Sequence, residues 1–147
     1  MEPSPVMHDS AKSQGGPVTP LKLVTGSSVS ARLDPSLAIA REWAGEGLEA
    51  LVLSGSHASG EAVWVEHDGR AVSLSDIDLY AVMRDPASAE AAAGRARAAR
   101  AGLATRLLES GLAAPLEVGF LTRADLSRQG ARPGTLELSR CGAVVWG

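Results

Sequence analysis

The sequence holds a single cysteine, Cys141, among 147 residues. One thiol cannot form an internal disulfide, so a reducing compartment is expected and Cys141 reads as a small buried apolar residue. Aromatic residues are also scarce. Three Trp, one Tyr and one Phe are too few to build stacking platforms for single-stranded nucleic acid. Lysine occurs only at Lys12 and Lys22, so positive charge in the body of the chain comes from arginine. A net charge of −3 and a pI near 5.6 argue against non-specific binding to a nucleic-acid backbone, which needs a positive surface. No apolar run approaches the ~18 residues of a membrane span. The first residues, MEPSPVMHDSAKSQGG, lack the apolar core of a signal peptide. A cytoplasmic protein without a membrane partner is expected. His8, His57 and His67 have no histidine or cysteine neighbour at metal-ligand spacing, so no zinc site is expected. A Walker-type loop, a dinucleotide fingerprint and a Gly-x-Ser-x-Gly elbow are all missing.

What remains is enough for one globular domain: nearly half the residues are apolar, at 45%. Residues 1–31, rich in Ser, Pro, Gly and Thr, read as a flexible leader in which only LKLV at 21–24 looks cohesive. The domain is expected over 32–147. Asp34-Pro35 has the chemistry of an N-cap and a first helical residue, so a helix is expected from there to Gly45 and Gly47. EALVLSGS reads as a buried strand ending in a tight turn. Asp68-Gly69, between the strand-like runs on either side, predicts a hairpin. DIDLYAVM reads as a long strand. Pro86 opens an Ala- and Arg-rich helix to about Ser110, with an apolar stripe at Ala92, Ala96, Ala99, Leu103 and Leu107. LEVGFL is a further strand, 126–129 and 135–140 read as helical, and AVVW closes the chain as a strand. The order predicts an α/β (α+β) domain with one mixed β-sheet flanked by helices and a hairpin insertion.

The chemistry concentrates in Ser75-Asp76-Ile77-Asp78-Leu79. Residues two apart in a strand share a face, so Asp76 and Asp78 would stand side by side while Ile77 and Leu79 enter the core. Adjacent carboxylates resist ionisation unless a cation neutralises them, and magnesium or manganese is the natural oxygen-liganded choice. The plainer alternative is two exposed acids on a half-solvated strand. Upstream, Gly55-Ser56 follows a buried strand directly. A glycine there permits a sharp turn, and its amide with the Ser56 hydroxyl can cradle phosphate oxygens.

Gly55-Ser56 followed by Ser75-Asp76-Ile77-Asp78-Leu79 resembles the signature of the DNA polymerase beta-like nucleotidyltransferase superfamily, over roughly residues 34–122. The resemblance implies that Glu117 in LEVGFL is the third carboxylate. It implies two Mg2+ ions, with Mn2+ as a substitute, held by Asp76, Asp78 and Glu117, which are also the catalytic residues. Gly55, Ser56 and Ser75 would bind the nucleotide. The implied activity is metal-dependent transfer of a nucleoside monophosphate from a nucleoside triphosphate, ATP included, to a hydroxyl acceptor on a small molecule or a protein. Two departures stand out. Many relatives read Gly-Ser-x-Ala-Arg-Gly, whereas GSHASG puts Ser59 in place of the arginine. The spacer before Asp76 is longer by about one hairpin, which falls at 62–72, away from the metal strand. The chain stops at Gly147, about where many relatives enter a helical region, which leaves a minimal member, half of a two-chain enzyme or a shortened chain as alternatives. A homodimer or a second subunit fits the same pattern. Two other functions stay open: an antitoxin-type enzyme acting on a helical toxin partner, and a non-catalytic nucleotide-binding or scaffold module.

Among other residues, His57 reads as a polar turn residue and Glu61 as a brace of the turn. Arg95, Arg97, Arg100 and Arg106 read as a solvated helical face, Trp64 and Trp146 as packing residues, and Tyr80 shares the face of the aspartates.

Overall fold

The computed structural model describes residues 22–23, 29–129 and 142–147. It shows a mixed α/β fold in which β-strands are flanked by helices. The expected helix at 135–140 and Cys141 lie outside the described residues.

The first helix, α1, runs Val29–Ala44 and contains Pro35, so it starts five residues before the expected Asp34-Pro35 start. A proline inside a helix removes one backbone hydrogen bond and crowds the carbonyl four residues back. Burial of Leu33 outweighs that cost here. Leu33, Ser36, Ala40, Trp43 and Ala44 fall at helical spacing and are all buried. The buried Ser36 hydroxyl donates to the Leu33 carbonyl at 2.6 Å. A two-residue strand, β1 (Lys22–Leu23), lies within the segment read as a leader.

The remaining strands are β2 (Leu48–Ser54), β3 (Trp64–His67), β4 (Arg70–Ser73), β5 (Ile77–Met83), β6 (Leu112–Ala113), β7 (Leu116–Thr122) and β8 (Ala143–Trp146). They divide into two four-stranded sheets, β1-β3-β4-β6 and β7-β5-β2-β8, where one mixed sheet was expected. The hairpin causes the division, because β3 and β4 pair with β1 and β6 and leave the central sheet. Its turn is as predicted: Asp68 and Gly69 take φ of 50° and 72°, the left-handed pair that a two-residue hairpin turn needs.

In the central sheet β2 runs antiparallel to β5 and β8, while β5 and β7 are parallel. A parallel pair requires a crossover. It is supplied by α3 (Pro86–Ala99), a 3-10 turn at Arg100–Gly102, and α4 (Leu103–Glu109). The single helix expected to Ser110 is therefore interrupted, at Gly102, a residue with low helix propensity. Asp85 caps α3, its side chain accepting from the Ser88 amide at 2.8 Å. The predicted stripe holds: Ala92 and Leu107 are buried, and Ala96, Ala99 and Leu103 pack against the core. Helices α1 and α3 cover the sheet face that carries Ile77, Leu79, Ala81 and Met83, which are all essentially inaccessible. Two short helices complete the fold: α2 (Gly55–Ser59), and α5 (Arg123–Gln129), where Thr122 and Asp125 satisfy each other's amides in a reciprocal cap. Among the described residues no helix is long and apolar enough to cross a membrane.

Candidate functional site

The end of β2, the start of β5 and the start of β7 meet at one edge of the central sheet. Ser54 is the Cα partner of Asp78 across the antiparallel pair. Asp78 is in turn the Cα partner of Glu117 across the parallel pair β5–β7. The strands thus set Asp78 and Glu117, 39 positions apart by their numbering, directly side by side. The period of two turns both side chains to the face opposite Leu79 and Val118, which agrees with a half-buried Asp78 between buried Ile77 and Leu79, and an exposed Glu117 between buried Leu116 and half-buried Val118.

Gly55 closes this corner from β2. Its φ is +67°, and a Cβ built on it would stand 2.7 Å from Asp78 Oδ2. Glycine suits the position, because any side chain would be strained in the backbone and would push against the carboxylate. Ser56, half-buried, is the second residue of the short helix α2, which Gly60 ends in the left-handed region. The Ser56 carbonyl accepts from the amides of Glu61 and Ala62 at 2.9 and 3.0 Å. Ser59, at the position of the expected arginine, lies 3.0 Å from Glu61 Oε2 and donates to it. The brace expected of Glu61 is therefore present.

Asp76 differs from its expected position. The ladder begins at Ile77, which pairs with Leu116, and Asp76 stands one residue outside β5, exposed. The alternation that placed it beside Asp78 applies within a strand, and Asp76 lies in the bend that enters it. Ser75, beside it, is tied to the hairpin: its hydroxyl accepts from the Val63 amide at 3.1 Å.

His57 is buried and bridges the glycine turn to that bend. Its Nε2 lies 3.1 Å from Ser73 Oγ and 3.2 Å from the Ser75 carbonyl. A carbonyl only accepts, and the Ser73 hydroxyl already donates to the same carbonyl at 2.6 Å, so Nε2 carries the proton and Nδ1 is an acceptor. Nδ1 has no partner among the described residues. The ring meets Trp64 edge-on at 5.2 Å, and the Arg32 guanidinium lies 5.9 Å from the Trp64 ring centre. The hairpin, expected to lie away from the acidic strand, is thus pinned through Val63, Trp64 and His57 to the residues just before Asp76. Sequence spacing alone could not show this, because the contact depends on where α2 folds back.

A cavity of about 400 Å3 opens beside the carboxylates, between α3 and the β5–β7 pair. Asp78, Glu117 and Tyr80 line it, and so do Arg97 and Arg100, which sequence reasoning had left on a solvated face. The other two helix arginines have structural partners: Arg95 donates to the Trp43 and Ala44 carbonyls at the end of α1, and Arg106 pairs with Glu42. Tyr80 lies against Gly119, where a Cβ would stand 3.0 Å from the ring. Gly55, Ser56, Ser75 and Asp76 are outside this lining. Among the described residues no group of three or more His, Cys, Asp or Glu is gathered to hold a metal ion. The acids brought together are therefore the pair Asp78 and Glu117. Compared with known proteins, the chain matches no family model and no curated protein sequence.

Proposed function

We propose that the chain is a metal-dependent nucleotidyltransferase, moving a nucleoside monophosphate from a nucleoside triphosphate to a hydroxyl of a small molecule or protein. The observation that carries this reading is the Gly55 turn pressed against Asp78, with Glu117 in register beside it. The Gly55 backbone thus adjoins one carboxylate with a second in register beside it, and backbone amides with carboxylates are groups that a metal–triphosphate complex uses.

The donor set fits Mg2+. That ion usually keeps several waters and is held by one or two carboxylates plus substrate phosphates rather than by an all-protein cage. Asp78 and Glu117 would hold it, with Asp76 reaching in from the bend for a second ion; Mn2+ would substitute. When bound, the metal stabilises charge on the attacking and leaving oxygens of an in-line displacement. The chain's own residues do the rest. Gly55 and Ser56, with Ser75, bind the phosphates. Glu117 accepts the proton of the acceptor hydroxyl as its oxygen bonds to the α-phosphorus, and the bond to the bridging oxygen breaks to release pyrophosphate. The net charge of −3 disfavours a polynucleotide acceptor.

The test is thermal stabilisation of the full chain by each nucleoside triphosphate, with and without magnesium, for the wild type and for Asp78→Asn. A ligand at a hundredfold excess over its Kd stabilises by roughly 2.7 kcal/mol. A magnesium-dependent shift in the wild type that Asp78→Asn lacks is expected. A wild type that responds to no triphosphate would overturn the reading.

A further inference from the structure

Arg97 and Arg100 are exposed at the cavity beside α3, and neither guanidinium has an ion-pair or hydrogen-bond partner among the described residues. The walls between them and the sheet are apolar: Ala93, Ala96 and Leu103 from the helices face Val118 and Phe120 of β7. Trp43 also lines the space. It is 6% exposed, and its Nε1 has no partner among the described residues. An indole N–H can only donate, and leaving a buried donor unsatisfied is costly. The cavity volume of about 400 Å3 lies within the range of small-molecule sites, which pair apolar walls with a few placed polar groups.

We propose that this cavity is a binding site for a small organic anion with a flat apolar body. The body lies between α3 and β7, where alanines leave room for it. The carboxylate or phosphate pairs with Arg97 and Arg100, and an acceptor atom accepts a hydrogen bond from the Trp43 indole N–H. Asp78 and Glu117 also line the space, from the strand wall, while Arg97 and Arg100 line it from the helix wall. The anionic group is therefore placed on the helix side, against the two guanidinium groups. This site needs neither metal nor nucleotide, so it stands or falls separately from nucleotidyl transfer.

Titration of the 15N-labelled full chain with 1-naphthoate and with its neutral analogue 1-naphthamide tests the proposal. Naphthoate is expected to shift the amides of Ala96, Val118 and Phe120 and the indole signal that Trp43→Phe removes. It should bind at least about tenfold more tightly than the amide, since charge-assisted bonds are the stronger ones. The double variant Arg97→Gln/Arg100→Gln should erase that preference, and Ala93→Leu, which fills the cavity and keeps both arginines, should abolish binding of both compounds. Unshifted signals at those positions, equal affinity for acid and amide, a preference that survives loss of both arginines, or unchanged binding in Ala93→Leu would each overturn it.

Discussion

Gly55 and Asp78 touch: a single added carbon on the glycine would stand 2.7 Å from the aspartate Oδ2. Backbone strain and side-chain collision act at the same position, and they can be separated. Gly60 also has a positive φ, +80°, but nothing lies within 4 Å of its Cβ position. Gly60→Ala should cost only the left-handed strain, about 1–2 kcal/mol. Gly55→Ala should cost distinctly more and should also displace the Asp78 carboxylate. Urea unfolding of both variants checks this; equal losses would show that the contact with Asp78 is slack.

Asp78 and Glu117 are expected to act as a unit because β5 and β7 hold them in register. If the proposed nucleotidyl transfer is the activity, Asp78→Asn should lower it by more than about a hundredfold, the scale of losing a charge-stabilising group in an active site. Glu117→Gln should do the same, and the double variant should be little worse than either single one. Multiplying losses in steady-state kinetics would separate the two residues' roles.

His57 is expected to be a positioning residue for the bend at Ser73–Ser75 rather than a substrate contact. His57→Ala removes its hydrogen bonds and its packing against Trp64, and should destabilise by about 2–4 kcal/mol. His57→Phe keeps the packing and should recover part of that loss. Calorimetry distinguishes the two; identical melting of His57→Ala and the wild type would show the bridge to be idle.

Two caps make stability depend on acid pH. The Ser88 backbone amide, then the Ser88 hydroxyl and Arg84, hold the Asp85 carboxyl below its ordinary value of 3.8. The Thr122 backbone amide, then its hydroxyl and Arg128, do the same for Asp125. For a carboxyl depressed on folding, the unfolded chain binds protons first. The contribution is therefore complete above the unfolded value and is lost as pH falls through the folded one. The gap in melting temperature between the wild type and Asp85→Ala/Asp125→Ala should be flat near neutral pH and should narrow below 3.8. A gap that persists unchanged at pH 2–3, on the order of a unit or more below that value, would mean that the caps do not act as carboxylates.

Local chemistry made several elements legible from sequence. Asp68-Gly69 favours the left-handed two-residue turn that joins two strands, so the hairpin was readable. The Ala92–Leu107 stripe has the period of a helix, and it packs as one. Gly55 marked a turn and Asp78 stood in an Asp-x-Asp pattern, whereas Glu117 was pointed to only by the family resemblance. The misplacements fall where longer-range packing prevails over local preference. Pro35 looked like a helix start, yet burial of Leu33 carries α1 past it. Two-residue strands such as β1 and β6 have no period to detect, and the pairing of β3 and β4 with them is what splits one expected sheet into two.

The sequence by itself determined which residues could do chemistry and which segments had a period, because both are properties of neighbours along the chain. Strand order and register were decided only by the tertiary structure. Pairing β5 with β7 set Asp78 against Glu117, left Asp76 outside the ladder, and brought Arg97 and Arg100 to the rim of a cavity with a buried indole. These relations depend on hydrogen bonds and apolar burial between segments tens of residues apart, and no local pattern encodes their alignment.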